Sequence, residues 1–492
     1  MNSGEKEPGT HKSLRWVLRI CHLCLLPVFS ILTLYSLAQS QDIARGQVIS
    51  KVVSTTDAQY SYALYLPSYY TTDKVFPVIY AFEPAARGAY PVARFKEAAE
   101  KYGYIMVASN NSKNGLNGTE LKPIITDMFA DTAKRFSIDQ NRIYLTGFSG
   151  GARLALGYAV ATKGAVAGVI ICGAGFGTGL PPATDLPFAI FGTVGDEDFN
   201  YSEMRTLDAA LSRLNVTHSF VTFSGSHDWA SSELCIKAIE WLELQAMKTN
   251  RLPIDKAFVE SLWKKNFDEA VNAEKQGQSY NAFVLLQALA QDFKGIKDVS
   301  AIEARLSSLL ENKAVRQALK DDSNEIRKQA ELTDQLMSPA LDIMQSDGSD
   351  RVIKLRALQN LIADVQKKTE TTENTSERRV ARRSRGAAFA YYYETATSDF
   401  LRNKKYDSAI LYLQIASELY PKNLYMLVEL ARVYAVTKQK KQTFQTLQKA
   451  VDKGFDDLKS LDEQKDFDSL RGDSEWQKLI EKVKNRSVTK ST

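Results

Sequence analysis

The stretch Ile143-Tyr-Leu-Thr-Gly-Phe-Ser-Gly-Gly-Ala-Arg-Leu-Ala-Leu-Gly157 constrains the fold of this chain more than any other. Ile143 to Leu145 reads as a buried strand, Gly147-Phe148-Ser149-Gly150-Gly151 has the form G-x-S-x-G, and Ala152 to Ala159 reads as a helix. A strand that turns this sharply into a helix needs unusual dihedrals and close backbone approach at the turn, which glycine tolerates best. Ser149 is then pushed out above the helix N-terminus, where N–H groups and the macrodipole favour developing negative charge. The pattern predicts a nucleophile elbow with Ser149 as the nucleophile.

Around the elbow, apolar strand-like runs alternate with helical patterns, which predicts an α/β domain over residues 50–248 with a mostly parallel sheet covered by helices. The expected strands are Tyr60–Leu66, Val75–Phe82, Tyr104–Ser109, Ile143–Thr146, Ala167–Cys172, Phe188–Gly192 and Val216–Phe223. The expected helices are Val92–Lys101, Leu121–Phe136, Ala152–Ala161, Tyr201–Leu214 and Ser231–Lys248. Ligands of such sheets sit at the carboxyl ends of the strands.

The scarcity of histidine sorts the candidates. There are four, and His11 and His22 fall in the N-terminal segment, leaving His218 and His227. His218 shares a strand face with Val216 and Phe220 and reads as structural. His227 follows the last strand in Ser224-Gly-Ser-His-Asp-Trp229, where a general base for Ser149 belongs. An acid that orients it should lie between the two in sequence, and Thr193-Val-Gly-Asp-Glu-Asp198 offers Asp196, Glu197 and Asp198. Asp198 is the first choice and Asp196 the second, with the remaining acids capping the next helix.

An oxyanion site needs two N–H groups. Gly150 supplies one, and Phe82 or Glu83 the other, because Pro84 has no N–H. Arg87 is near enough in sequence to bind a substrate carboxylate or carbonyl oxygen. The plainer reading of Arg87 is a surface ion pair with Glu83.

The stretch from about Tyr60 to Leu244 resembles the α/β-hydrolase superfamily, and within it the polyhydroxybutyrate-depolymerase, feruloyl-esterase and dienelactone-hydrolase-like group. The residues that carry the resemblance are Phe82-Glu-Pro-Ala-Ala-Arg-Gly88, Tyr102-Gly-Tyr with Ser109-Asn-Asn-Ser112, Arg142 to Arg153, and Gly225-Ser-His-Asp-Trp229. It implies hydrolysis of an ester substrate through an acyl-enzyme, with no metal and no organic cofactor. The His-Gly oxyanion motif of that group is replaced by Phe82-Glu83-Pro84, and the acid loop carries an extra residue. Between Cys172 and Phe188 the chain is too short for an inserted lid, which predicts an open mouth suited to a bulky or polymer-linked ester, or to a small soluble one. A serine peptidase on the same triad is the neighbouring alternative. A non-catalytic scaffold is the alternative from a different class.

Composition excludes other classes. Net charge is +5 over 492 residues, which gives no case for nucleic-acid binding. Four cysteines, two of them in the N-terminal segment, exclude a disulfide-rich scaffold; Cys172 and Cys235 read as a buried thiol pair or a bridge. A basic start followed by the apolar run Ile20–Leu37 and Ser36-Leu37-Ala38 predicts an export signal over residues 1–38, cut after Ala38, or an uncleaved membrane anchor. Either way the remainder is expected to be exported, periplasmic or extracellular.

Beyond residue 250 the strand pattern stops. Tyr393, Ala396, Phe400, Ala409, Leu413, Ala416 and Pro421 match a tetratricopeptide-like unit, and Leu430, Ala431, Tyr434, Leu447 and Ala450 repeat it about 34 residues on. Trp263–Phe293, with Ala282, Leu286 and Leu289, reads as a degenerate relative, and Phe467–Val483 as a cap. The expectation is a helical region over 254–368, a polar linker over 369–386 marked by its arginine cluster, and repeats with a cap over 387–486. Stacked repeats of this kind hold a protein or peptide partner in their concave face.

Overall fold

Long apolar runs with little polar alternation build the centre of a sheet whose two faces are both covered. The strands are Val48–Val53 (β1), Ser61–Tyr65 (β2), Phe76–Phe82 (β3), Ile105–Ser109 (β4), Ile138–Phe148 (β5), Gly168–Cys172 (β6), Ala189–Gly195 (β7) and His218–Phe223 (β8). They form one sheet in the order β1-β2-β4-β3-β5-β6-β7-β8, with β2 antiparallel to both its neighbours and the rest parallel. That order, with that one reversed strand, is the α/β-hydrolase sheet. The computed structural model describes residues 43–177 and 179–489, with side chains as far as Arg486. The export segment expected over residues 1–38 lies outside them.

Register brings the site residues to one edge. Phe82 of β3 lies opposite Gly147 of β5, Phe148 opposite Cys172 of β6, and Cys172 opposite Thr193 of β7. The loops that leave these carboxyl ends therefore meet. One face of the sheet is covered by Ala89–Tyr102 (α1), through Val92, Phe95 and Ala99, and by a C-terminal helix through Cys235, Ala238, Ile239 and Leu242. On the other face Gly118–Arg135 (α2) stacks Phe129 on Tyr80, and Gly150–Ala161 (α3) brings Tyr158 against Phe129. Tyr201–Arg213 (α4) holds His218 through Asp208 and Ser212, and Ser232–Lys248 (α5) is the C-terminal helix just named. His218 is thus structural: burial lowers its affinity for a proton, but the bonds to Asp208 and the Val216 carbonyl raise it further. Cys172 and Cys235 are both buried free thiols.

The rest is helical. Lys256–Lys275 (α6) and Ser279–Phe293 (α7) form a hairpin that packs on the end of α5, followed by Ser300–Leu310 (α8), Lys313–Met337 (α9), Pro339–Gln345 (α10) and Gly348–Thr369 (α11). Then come Ser376–Glu394 (α12), a π-helical turn over Thr395–Phe400, Tyr406–Leu419 (α13), Tyr425–Val436 (α14), Lys440–Asp452 (α15), Leu458–Asp462 (α16) and Ser474–Thr489 (α17). Three hairpins share one turn. Gly277, Lys404 and Lys438 all have positive φ, and the next residue's N–H reaches back to Ala273, Phe400 and Tyr434 respectively at 2.9, 2.8 and 2.8 Å. This is a Schellman closure repeated in three places, two of them about 34 residues apart. The positions after it also match, with Ala282, Leu286 and Leu289 answering Ala409, Leu413 and Ala416.

The polar linker expected over 369–386 is not one. Residues 376–394 are helix α12, and a single apolar cluster joins Leu336, Ile362 and Val365 to Ala381, Tyr392 and Leu413 across the supposed boundary. The arginines misled because α12 docks by ion pairs as well as by the apolar face that carries Ala381, Ala388 and Tyr392. Arg378 and Arg382 pair with Glu197 of the α/β domain, and Arg379 and Arg383 pair with Glu325 of α9. Strand β1, unforeseen in the sequence, is a half-exposed edge strand without a continuous apolar run.

A second seam joins the halves at α7. The indole N–H of Trp241 donates to Asp292 at 2.7 Å, and Gln291 donates to the His218 carbonyl at 2.8 Å. Burial pushes the Asp292 carboxyl up to about 6, against the Trp241 bond and the nearby Lys248 and Lys237. The folded state therefore holds this proton to higher pH than the unfolded chain does. Its contribution to stability is present below about pH 4 and is lost as pH rises through 6. Asp292→Asn, which keeps the Trp241 acceptor, should be more stable than the wild type at pH 7–8 by on the order of 2 kcal/mol, with the gap closing below pH 4. Urea unfolding of both proteins across this range measures it.

Candidate active site

Strand β5 ends at Phe148 and α3 begins at Gly150, so Ser149 alone makes the turn, at φ 53° and ψ −122°. Its backbone is pinned on both sides. The Ser149 N–H donates to the Cys172 carbonyl at 2.9 Å, while its own carbonyl accepts from Ala152 at 3.0 Å and Arg153 at 3.3 Å. A Cβ on Gly151 would lie 2.0 Å from the Phe82 carbonyl oxygen, so the helix can start this close to β3 only with glycine there. A side chain held at such dihedrals costs about 1–3 kcal/mol, and strain of this kind gathers at functional sites.

His227 stands in the loop after β8 and Asp198 in the loop after β7. The His227 Nδ1 lies 2.9 Å from each oxygen of the fully buried Asp198 carboxylate, which also accepts from the Asn200 N–H at 2.8 Å. Facing a carboxylate, Nδ1 carries the proton and Nε2 is left as the acceptor. Asp196 points elsewhere and accepts from the Gly225 N–H, and Glu197 is taken by Arg378 and Arg382. Phe148 and Phe199 flank the imidazole, with ring centroids 4.4 and 4.1 Å from it. Gly173, the residue after β6, is in contact with both partners: a Cβ there would meet Asp198 at 2.9 Å and His227 at 3.1 Å. Cys172, which binds the Ser149 N–H, is its neighbour. Ser149, Asp198 and His227 are thus all placed against the end of β6.

The candidate oxyanion donors Gly150, Phe82 and Glu83 line one small cavity. Gly150 opens α3, and Glu83 is the first residue past the β3–β5 ladder, which includes Phe82. Among the hydrogen bonds of the described residues neither the Gly150 nor the Glu83 N–H has an acceptor. The Glu83 carboxylate is buried and organises its own turn, accepting from the N–H groups of Ala85 at 2.7 Å and Arg87 at 3.0 Å. Burial raises its pKa, but these bonds and the Arg87 guanidinium lower it further, so it stays ionised. Arg87 is held by that ion pair and lies over the Tyr90 ring, which is the plainer of its two sequence readings.

Asn114 was missed by the sequence reading. Its side-chain oxygen sits where a Cβ on Gly150 would come within 2.0 Å, and its N–H donates to the Pro84 carbonyl at 2.8 Å. With Glu83, Leu121 and Leu154 it lines a cavity of about 130 Å³ beside Gly150. The available signal was its place just after the carboxyl end of β4. A larger cavity of about 530 Å³ lies away from Ser149, between β8, α5 and the α6–α7 hairpin.

The mouth is less open than the missing insertion implied. Arg402, after the π-helical turn, donates to the Gly115 carbonyl at 2.6 Å, next to Asn114, and Glu394 is close enough to act electrostatically on Arg153. The segment 376–402 therefore reaches from the acid loop to the loop beside Gly150. No group of three or more His, Cys, Asp or Glu side chains arranged to hold a metal occurs among the described residues.

No family model matches this chain, and no curated protein matches it. Among solved structures it is similar to an S-formylglutathione hydrolase of Staphylococcus aureus, at 17% identity over 40% of this chain and 96% of that one, with a TM-score of 0.33. It is also similar to a ferulic acid esterase at 16% identity, over 40% of this chain and 97% of that one, with a TM-score of 0.34. Est1E of Butyrivibrio proteoclasticus stands at 14% identity, over 40% and 99%, with a TM-score of 0.32.

The strain at Ser149 is measurable by itself. Ser149→Gly should be more stable to urea than Ser149→Ala by about 1 kcal/mol, because the dihedrals of this turn are strained for alanine, which has a Cβ, and open to glycine. Equal stabilities would mean that the turn is relaxed.

Proposed function

We propose that this protein is an exported serine hydrolase that cleaves carboxylic esters through an acyl-enzyme. The observation that carries the proposal is Ser149 at a strained turn between β5 and α3, its N–H on the Cys172 carbonyl, with His227, whose Nδ1 meets a buried carboxylate, against the next residue, Gly173. Stability alone gives no reason to keep a serine at such dihedrals. In the proposed reaction Ser149 Oγ attacks the ester carbonyl while His227 Nε2 takes the serine proton. Asp198 stabilises the imidazolium, and the N–H groups of Gly150 and Glu83, with Phe82 as the other candidate, hold the oxyanion. His227 then gives the proton to the leaving alkoxide. Water attacks the acyl-enzyme by the same path and regenerates the Ser149 hydroxyl. In this reading the segment 1–38 directs export, and the helical hairpins bind a protein or peptide partner.

Incubation of residues 39–492 with a fluorophosphonate probe and with p-nitrophenyl acetate tests the chemistry. Labelling and turnover should vanish in Ser149→Ala and His227→Ala. Asp198→Asn should lower kcat by about 10⁴, whereas Asp196→Asn should not approach that loss. A folded wild type that neither labels nor turns over would falsify the proposal. Paired ester and amide substrates decide whether the scissile bond is an ester.

A further inference from the structure

The loop between β7 and α4 carries Asp198, yet much of what holds it comes from about 180 residues further along the chain. Arg383 Nε donates to the Asp196 carbonyl at 2.5 Å, and Asn374 donates to the Asp196 carboxylate at 3.1 Å. Arg378 Nε and Arg382 Nη1 donate to the two oxygens of Glu197 at 2.7 and 2.5 Å. Past Asp198, Gln329 of α9 donates to the Phe199 carbonyl at 3.0 Å. The residues on both sides of Asp198 are thus gripped by the helical half.

These are expensive contacts. The Arg383 side chain is 1% exposed, stacked 3.6 Å over the ring of Tyr201 and paired with Glu325, itself nearly buried. Burying so many charges gains little stability over well-packed apolar residues. What it gives is geometry, because the rigid guanidinium fork fixes its acceptors in place. The same helix makes a second contact with the site. A Cβ on Gly386 of α12 would lie 3.0 Å from Phe199, and Phe199 is one of the two rings against His227.

We propose that α12 is a positioning element of the active site: its arginines set the loop bearing Asp198, and its backbone at Gly386 sets the ring that flanks His227. The inference rests on the serine-hydrolase reading. It gives the helical half a task in the reaction itself, separate from any partner it binds. None of these arginines need touch substrate, so all act through Asp198 and His227.

A mutant cycle on the full chain, residues 39–492, tests it. Arg378→Ala/Arg382→Ala is made in the wild type and in Asp198→Asn, and p-nitrophenyl acetate turnover and the rate of fluorophosphonate labelling are measured in all four proteins. The loss expected in the wild-type background is about tenfold to hundredfold in kcat and in labelling rate, with KM within about twofold, as for a catalytic group moved by part of an ångström. In the Asp198→Asn background the arginine changes should cost almost nothing further, because the group they position is already disabled. Arg378→Lys/Arg382→Lys, which keeps the charge, should lose less than the double alanine variant. Gly386→Ala is the gentler variant: alanine favours the helix, so a several-fold fall in labelling with an unchanged or higher melting temperature supports the steric contact with Phe199. Unchanged kcat in both variants, or an equal loss in the two backgrounds, would overturn the positioning role while leaving the hydrolase reading intact. A wild type without labelling or turnover would overturn both.

Discussion

Arg383 has no route to solvent and must find its partners inside the protein: Glu325 on one helix, the Tyr201 ring on another, and the Asp196 carbonyl in the loop between β7 and α4. A guanidinium in that position ties α12 to three other parts of the chain. Its neighbours on the same helix set the other charges of the seam. Glu197 stays ionised despite its burial because Arg378 and Arg382 outweigh the cost, and Arg379 completes the neutralisation of Glu325. Glu197 and Glu325 each face two arginines, so the costly loss is that of a carboxylate, which leaves two guanidiniums without their ion pair.

The seam and the elbow solve different problems with the same sheet. At the elbow the constraint is space: β3, β5 and α3 approach so closely that glycine is needed at position 151, and Ser149 bears the unfavourable dihedrals between them. At β7 the constraint is direction. The strand delivers a loop with three adjacent acids, and only the pairing of its neighbours decides which carboxylate turns inward. Asp196 is drawn to Gly225 and Asn374, Glu197 to the arginines, and Asp198 is left facing His227.

These two solutions were unequally legible in the sequence. The elbow could be read because its constraint is local, written in five residues between a strand and a helix, and the sheet around it followed from apolar runs of strand length. The last two helical hairpins could be read for a similar reason, since their turns at Lys404 and Lys438 lie about 34 residues apart. The arginine run of 378–385 could not. Its charges look the same whether they meet water or carboxylates nearly two hundred residues away, and no local period distinguishes the two. Asn114 was hidden differently: one asparagine in a loop has no pattern, and its contact with Gly150 exists only after β4 and β5 are brought into one sheet. The edge strand β1 is half solvated, so the apolar signal that marks β3 is absent from it.

The seam also fixes an order of events during synthesis. Residues 46–248 leave the ribosome ahead of the helical half and contain every strand of the sheet, and domains generally fold in that order. The β7–α4 loop can by then bond to Phe223, Gly225 and His227, but its partners on α12 arrive only when residues 374–386 have followed. For more than a hundred residues of elongation, the loop bearing Asp198 lacks that second set of contacts. A helix made late in this way completes a loop made early.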